Sequence, residues 1–362
     1  MTRDPLNPYA ETVITFPVEE PETAVPGLSL LITTARRYSD QSAVTPSGDD
    51  SNVIGPVYTH ARWLTIRRWQ LDSEEFSTLV RETNLGQESL FRYLREYRRA
   101  DLKIAVQHLE CVLEPSMSSR YHAVVLANLA RAKFISHKID PTSANLDDVI
   151  QFYGQALRLR LPGHLDRPAT LLQLAQTLLF RYEEQGSSKS VADEIKTLMA
   201  ELQGFPADSH ELRALELVRI SLKRCEVTKS GSLAELNELV WELEHDAEVP
   251  PDNYFDRPQR MMNLGIALRG RYEKNGQITD LDKSLEITKR ALHLLPARHP
   301  DKLFGVRTLG AVLWTLCEIR GDLSYLRNLI DLSEEVLELL PEGHSARSYW
   351  EPLVALSSTT DL

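Results

Sequence analysis

The chain has 362 residues, with 41 Lys and Arg against 52 Asp and Glu and a formal net charge of −11. That acidic balance disfavours a nucleic-acid phosphate backbone as the main partner, and no apolar run reaches the roughly 18 residues a membrane span needs. The three cysteines, Cys111, Cys225 and Cys317, include no Cys-x-x-Cys pair; they suit a reducing, cytoplasmic compartment and are read as buried thiols within helices.

Residues 1–56 hold seven of the 19 prolines among Ser, Thr, Asp and Gly, and are predicted to be disordered or extended. Met1 to Ala10 carries Asp4 and two prolines and lacks the apolar stretch of a signal peptide. Leu28 to Thr33 is a short apolar patch suited to docking on the rest of the chain. Residues 57–86 are predicted to cap the following array: Trp63, Trp69 and the β-branched content allow a strand, and Ser73 to Glu82 reads as a helix. Residues 87–113 read as a first, shortened helix pair, with Arg92, Arg95, Arg99 and Lys103 on one solvated face.

Full pairs follow near 119–160, 166–205, 208–248, 256–296 and 301–341, and His344 to Leu356 begins a terminal helix with Trp350, Leu353 and Leu356 on a stripe. The fourth pair shows the unit most plainly. Met261, Leu264, Leu268 and Tyr272 align on its first helix; Leu281, Leu285, Thr288, Leu292 and Leu295 align on its second. Asp256 is the predicted N-cap with Pro258 just inside, Gly276 ends the first helix in the left-handed conformation, Thr279 with Asp282 caps the second, and Pro296 stops it. The third pair reads as irregular, with Leu217 out of register, a loose turn from Glu226 to Ser232, and an extended connector at Pro250-Pro251.

Gly186, Gly231, Gly276 and Gly321 are 45 residues apart in sequence. Leu129, Leu174, Leu264 and Leu309, then Asp166, Asp256 and Asp301, and Leu157, Leu202, Leu292 and Leu337 recur at multiples of the same period. A fixed period between about 20 and 50 residues marks a solenoid, because one helix pair cannot bury its apolar surface alone. The fold expected is all-α, a right-handed α-solenoid over residues 87–362 with a 45-residue repeat.

Leu264-Gly265-x-Ala267-Leu268 in a first helix, and Ala291-Leu292-x-x-x-Pro296 closing a second, resemble the tetratricopeptide (TPR) pattern. The usual TPR period is about 34 residues; here helix one and both loops are longer. The longer form, with Asp-Leu-Asp before helix two and Leu-Pro-x-x-His-Pro-Asp-Lys between units, resembles the arrays of fungal TPR proteins, many of which continue into a caspase-like CHAT protease domain. The resemblance implies a scaffold that binds protein or peptide segments. Its alternative is the sensor array of such a protease system without the enzyme, since no strand-rich domain with a His–Cys pair is visible.

In TPR arrays the face of helix one lines a concave groove. Asn128, Gln173, Asn263 and Thr308 each precede the register leucine by one residue, and Arg131, Gln176 and Arg307 lie on or beside that face. These seven are the candidate peptide-binding residues, an amide ladder for an extended backbone; bonding between adjacent helices is the competing reading. Met262 and Ile266 stand where a carboxylate clamp would need Lys and Asn. His164, His299 and His344 recur at multiples of 45, too far apart across packed helices to share one zinc ion, and are expected to bond loop backbone or cap helices. Arg181-Tyr182 and Arg271-Tyr272 are read as a core-facing tyrosine beside an arginine that pairs into the next unit. No phosphate-binding glycine loop, serine elbow or zinc-protease motif is present, so neither catalysis nor a cofactor is expected.

Overall fold

A computed structural model describes residues 74–113, 119–186, 188–204, 210–247, 256–340, 342–344 and 346–357. The segment expected to be disordered, its apolar patch, the tryptophan-bearing part of the cap and the Pro250-Pro251 connector lie outside these residues. The described residues belong to one compact unit, Asp50–Leu362. Among them are thirteen helices and no strand. The helices are α1 (Glu74–Glu96), α2 (Arg99–Cys111), α3 (Ser119–Ile139), α4 (Leu146–Leu159), α5 (Arg167–Glu184), α6 (Lys189–Leu202), α7 (His210–Ser230), α8 (Leu233–Ala247), α9 (Arg257–Asn275), α10 (Ile278–Leu294), α11 (Lys302–Arg320), α12 (Leu323–Leu339) and α13 (Arg347–Ser357). Neighbours in sequence pack as pairs, and each pair packs on the next.

The first pair differs from expectation. α1 runs unbroken through the boundary placed between 86 and 87, so the described part of the cap is helix and the pair is α1–α2. Gly86 marks a close crossing: a Cβ there would lie 2.7 Å from Leu109 Cγ on α2. Cys111, at the end of α2, is exposed rather than buried; Cys225 is buried and Cys317 half-buried, and all three are free thiols.

Within pairs, the turn chemistry follows the glycines. Gly276 and Gly321 end α9 and α11 with φ of 69° and 63°, and their N–H groups donate to Tyr272 and Cys317 carbonyls. The third pair is tight where a loose turn was expected. α7 runs on to Ser230, the Gly231 N–H donates to Val227 O at 2.8 Å, and a reciprocal capping box starts α8. The Ser232 N–H donates to Glu235 Oε2 at 2.6 Å and the Glu235 N–H to Ser232 Oγ at 3.3 Å. α10 begins one residue before Thr279, with Gln277 rather than Thr279 at the cap; Asn275 Oδ1 accepts the Gln277 N–H at 2.9 Å.

Between pairs, one device recurs. His164, His299 and His344 accept at Nδ1 from the N–H two residues on, at 3.1, 3.1 and 3.0 Å. Arg167 and Arg347 then reach back to the exposed carbonyls ending the previous helix: Arg167 Nη1 to Leu157 O at 2.9 Å, Arg347 Nη1 to Leu337 O at 3.0 Å and Leu340 O at 3.2 Å. The device fixes the angle at which one pair hands over to the next. Arg181 and Arg271 do not pair forward: Arg181 meets Asp147 of the preceding pair at 3.1 Å, and Arg271 holds Asp280 of its own pair in a fork at 2.8 and 2.7 Å.

The core is a chain of apolar clusters threaded between the pairs, with Tyr153, Leu171, Leu178, Ile195 and Leu202 almost wholly buried. At the C-terminal end Trp350 of α13 is 2 % exposed and packs on Gly310, where a Cβ would lie 3.0 Å from the indole. Leu264, 2 % exposed, packs with Leu239, Leu243 and Leu268 in the cluster between α8 and α9. Leu264→Ala is expected to lower stability by about 2–5 kcal/mol, the range for truncating a buried leucine. Urea unfolding of the variant against the wild-type chain measures it.

Candidate functional site

The helix-one face is more closed than the amide-ladder reading requires. Asn263, expected to face an open groove, is fully buried: Nδ2 donates to Ser221 Oγ at 2.9 Å and Oδ1 accepts from Arg224 Nε at 2.9 Å. It bridges α9 to α7, so it is structure and not a peptide contact. Arg224 is the hub, 5 % exposed. It also pairs with Glu183 of α5, and its guanidinium lies 5.7 Å from the Phe304 ring centre on α11. Four first helices therefore gather on one guanidinium. The neighbouring Cys225 thiol is pushed up to about 12 by burial, which makes it inert at neutral pH.

Asn128, Arg131 and Thr308 are also buried, at 5, 8 and 8 % exposure. Burial pushes the Arg131 guanidinium down to about 10. Thr308 Oγ1 donates back to Phe304 O at 3.3 Å within α11. Gln173 and Gln176 stay half-buried on α5, one helical turn apart, and no side-chain hydrogen bond engages either amide among the described residues. Arg307 is exposed and meets Glu184, at the end of α5, at 2.7 Å. Of the seven candidates, the structure leaves Gln173, Gln176 and Arg307 accessible, on α5 and α11, two helices that the Arg307–Glu184 pair ties together.

A second feature had no signal in the sequence pattern. The two ends of the array meet. Lys138, in the last turn of α3, pairs with Asp301 ahead of α11, and an Arg99 Nη donates to Leu339 O at the end of α12. The Tyr97 ring lies against His299 with centroids 5.4 Å apart, and against Tyr93 at 5.8 Å. Tyr97 has φ 53°, a positive value otherwise confined to glycines among the described residues. A cavity of about 310 Å³ lies in this contact, walled by Tyr93, Tyr97, Arg99, Arg298, Lys302 and Glu338 among others.

The electrostatics of the contact follow from burial. Burial pushes the His299 imidazole down, opposed by Asp301 and helped by Lys138. Burial also lowers His344, where Asp140 pulls upward and Arg99 downward. For the Asp301 carboxyl burial acts upward, but Lys138 and His299 outweigh it and hold it below the ordinary carboxylate value. Among the described residues no cluster of three or more His, Cys, Asp or Glu is placed to hold a metal ion, and no helix is long and apolar enough to cross a membrane. Compared with family models, curated proteins and solved structures, the chain matches none.

Two measurements check this geometry. Removing the bridging amide in Asn263→Ala should cost about 1–3 kcal/mol, the penalty for leaving the buried Arg224 and Ser221 groups unmatched. A double-mutant cycle with Ser221→Ala should show coupling of about 0.5–3 kcal/mol, as groups in direct contact do. The histidines set a pH dependence. Both accept a hydrogen bond at Nδ1 and are held neutral, while an unfolded histidine titrates near about 6.5. Below that value the unfolded chain binds more protons, so stability that is full above about pH 6.5 is lost as pH falls through the lowered folded values. The urea midpoint should therefore drop between pH 7.5 and 5, and drop less in His299→Asn/His344→Asn, whose amides can accept the same N–H groups without titrating.

Proposed function

We propose that this chain is a right-handed α-solenoid of tetratricopeptide-like pairs, with a period near 45 residues, that works as a non-catalytic scaffold for extended protein segments. The period is supported by the left-handed glycines at 186, 276 and 321 and by the histidine loops at 164, 299 and 344, both spaced in multiples of it. Solenoids of this kind present long curved surfaces to their partners.

The observation that carries the binding reading is that Gln173 and Gln176 on α5 and Arg307 on α11 stay accessible while the other helix-one candidates are buried. Gln173 and Gln176 offer amide donors and acceptors at i and i+3 on one face, and Arg307 adds a cation tied only to an exposed carboxylate. The surrounding positions on helix one are sealed by intramolecular contacts. A peptide in extended conformation would bond its backbone to the glutamines and set an acidic side chain against Arg307 in place of Glu184.

The test is selection of peptides from a random display library on the full chain, followed by affinity measurements. Gln173→Ala/Gln176→Ala and Arg307→Ala should each weaken binding by about tenfold, equivalent to about 1.4 kcal/mol, with melting temperatures near wild type. Peptides that bind all variants equally well would move the binding surface elsewhere.

A further inference from the structure

We propose that the cavity where the two ends of the array meet is a binding site for a small organic oxyanion, a phosphate or carboxylate carrying a hydrogen-bonding group on its far side. This reading is independent of the peptide contacts proposed on α5 and α11. At about 310 Å³, the cavity has the lower end of ordinary ligand-site volumes, about 300–1,000 Å³. It has room for roughly ten water-sized volumes of about 30 Å³ each.

Charge selects the ligand class. Arg99, Arg298 and Lys302 line the cavity against the single carboxylate of Glu338. Lys302 is held by Glu335 at 2.5 Å, and Arg99 is engaged with the Leu339 carbonyl. Arg298 is exposed, and no ion pair or hydrogen bond occupies it among the described residues. Its guanidinium is a planar fork suited to two oxygens of a carboxylate or phosphate. His299 adds no charge at neutral pH, because burial keeps it neutral and its Nδ1 is committed to the Asp301 N–H.

The wall of the cavity supplies a second, separate observation. Tyr93 lines it, is 0 % exposed, and its hydroxyl has no hydrogen-bond partner among the described residues. Buried polar groups are almost always partnered, so this hydroxyl, sealed in the wall of the cavity, needs a partner that a slight shift of the Tyr93 ring toward a bound ligand would supply. Burial is the main cause that pushes its phenol upward, which leaves it protonated and able to donate. Tyr97, between Tyr93 and His299, keeps its positive φ in the same wall. Non-glycine residues held in that conformation concentrate at ligand clamps, where surrounding structure over-determines them.

The full chain is titrated calorimetrically with glycerol 3-phosphate and, separately, with citrate, at two salt concentrations. One of the two should saturate at one equivalent, which also decides between the phosphate and carboxylate heads. Arg298→Ala and Tyr93→Phe should each weaken it by about 5–30-fold, in line with hydrogen bonds to a charged ligand. Glu338→Gln should tighten it a few-fold by removing the like charge. Failure of both probes to saturate by about 10 mM overturns the proposal. So does binding that neither variant weakens, which would be an adventitious ion only. Loss in Arg298→Ala with none in Tyr93→Phe overturns it as well, since the hydroxyl would then be satisfied by water.

Discussion

Each helix pair in this chain carries apolar side chains on more surface than its two helices can cover for each other. α5 shows the constraint in one element. Its buried positions, from Pro168 and Thr170 through Leu171, Leu174, Ala175, Leu178 and Tyr182, wrap most of the cylinder, and α6 covers only one side. The remainder must be met by α4 before it and α7 after it, and all three contacts are present. The histidine loops, the arginines that cap preceding helices and the close crossings at Gly86 and Gly310 serve this stacking. Trp350 of α13 packs one large ring on α11 and α12, and Tyr349 beside it faces solvent.

The contact between the far ends is of another kind. Inside the array, a buried leucine contributes roughly 1.5–3 kcal/mol. At the junction of the ends the groups are an ion pair, an arginine on a carbonyl and a tilted ring pair, and partly exposed ion pairs contribute only about 0–1 kcal/mol each. The junction thus rests on polar and ring contacts where the array rests on apolar packing. The cavity lies in that junction, with cations contributed from both sides of it.

Much of this architecture was legible in the sequence, because helix periodicity and turn glycines are local. The described residues are all helix and turn, with adjacent helices packed in pairs, and Gly276 and Gly321 adopt the left-handed conformation that ends a helix. The errors share a physical origin. The boundary placed between 86 and 87 falls inside α1, where Gly86 lets Leu109 of α2 approach closely. The polar run from Glu226 to Ser232 reads as a loop, yet the helix persists to Ser230 and a capping box closes the turn. Cys111 sits on a helical pattern, but the pattern does not say that the end of α2 lacks a neighbour there.

Asn263 marks the limit of reasoning from a repeat. Periodicity fixes the angle at which a side chain leaves its helix; it does not fix what stands opposite. Opposite Asn263 stands Arg224. Forty-five residues after Arg224 comes Arg269, which is partly exposed and meets only Glu273 of its own helix, at 3.5 Å. The same residue type in the same register is a hub in one unit and a surface pair in the next. The cavity repeats the lesson. His299 and Lys302 belong to the recurrent loop, matched by His164 with Arg167 and by His344 with Arg347, whereas Arg298 stands where the later unit has Gly343, and Tyr97 where the next has Thr142. The recurrent residues supply the frame, and departures from the period, Arg298 and also Tyr93, which stands where the next unit has Lys138, give one junction an exposed guanidinium and an unpartnered hydroxyl. In an array built from near-copies, a site can be specific only where the copies differ, so the residues with no counterpart at the period are those most worth testing for function.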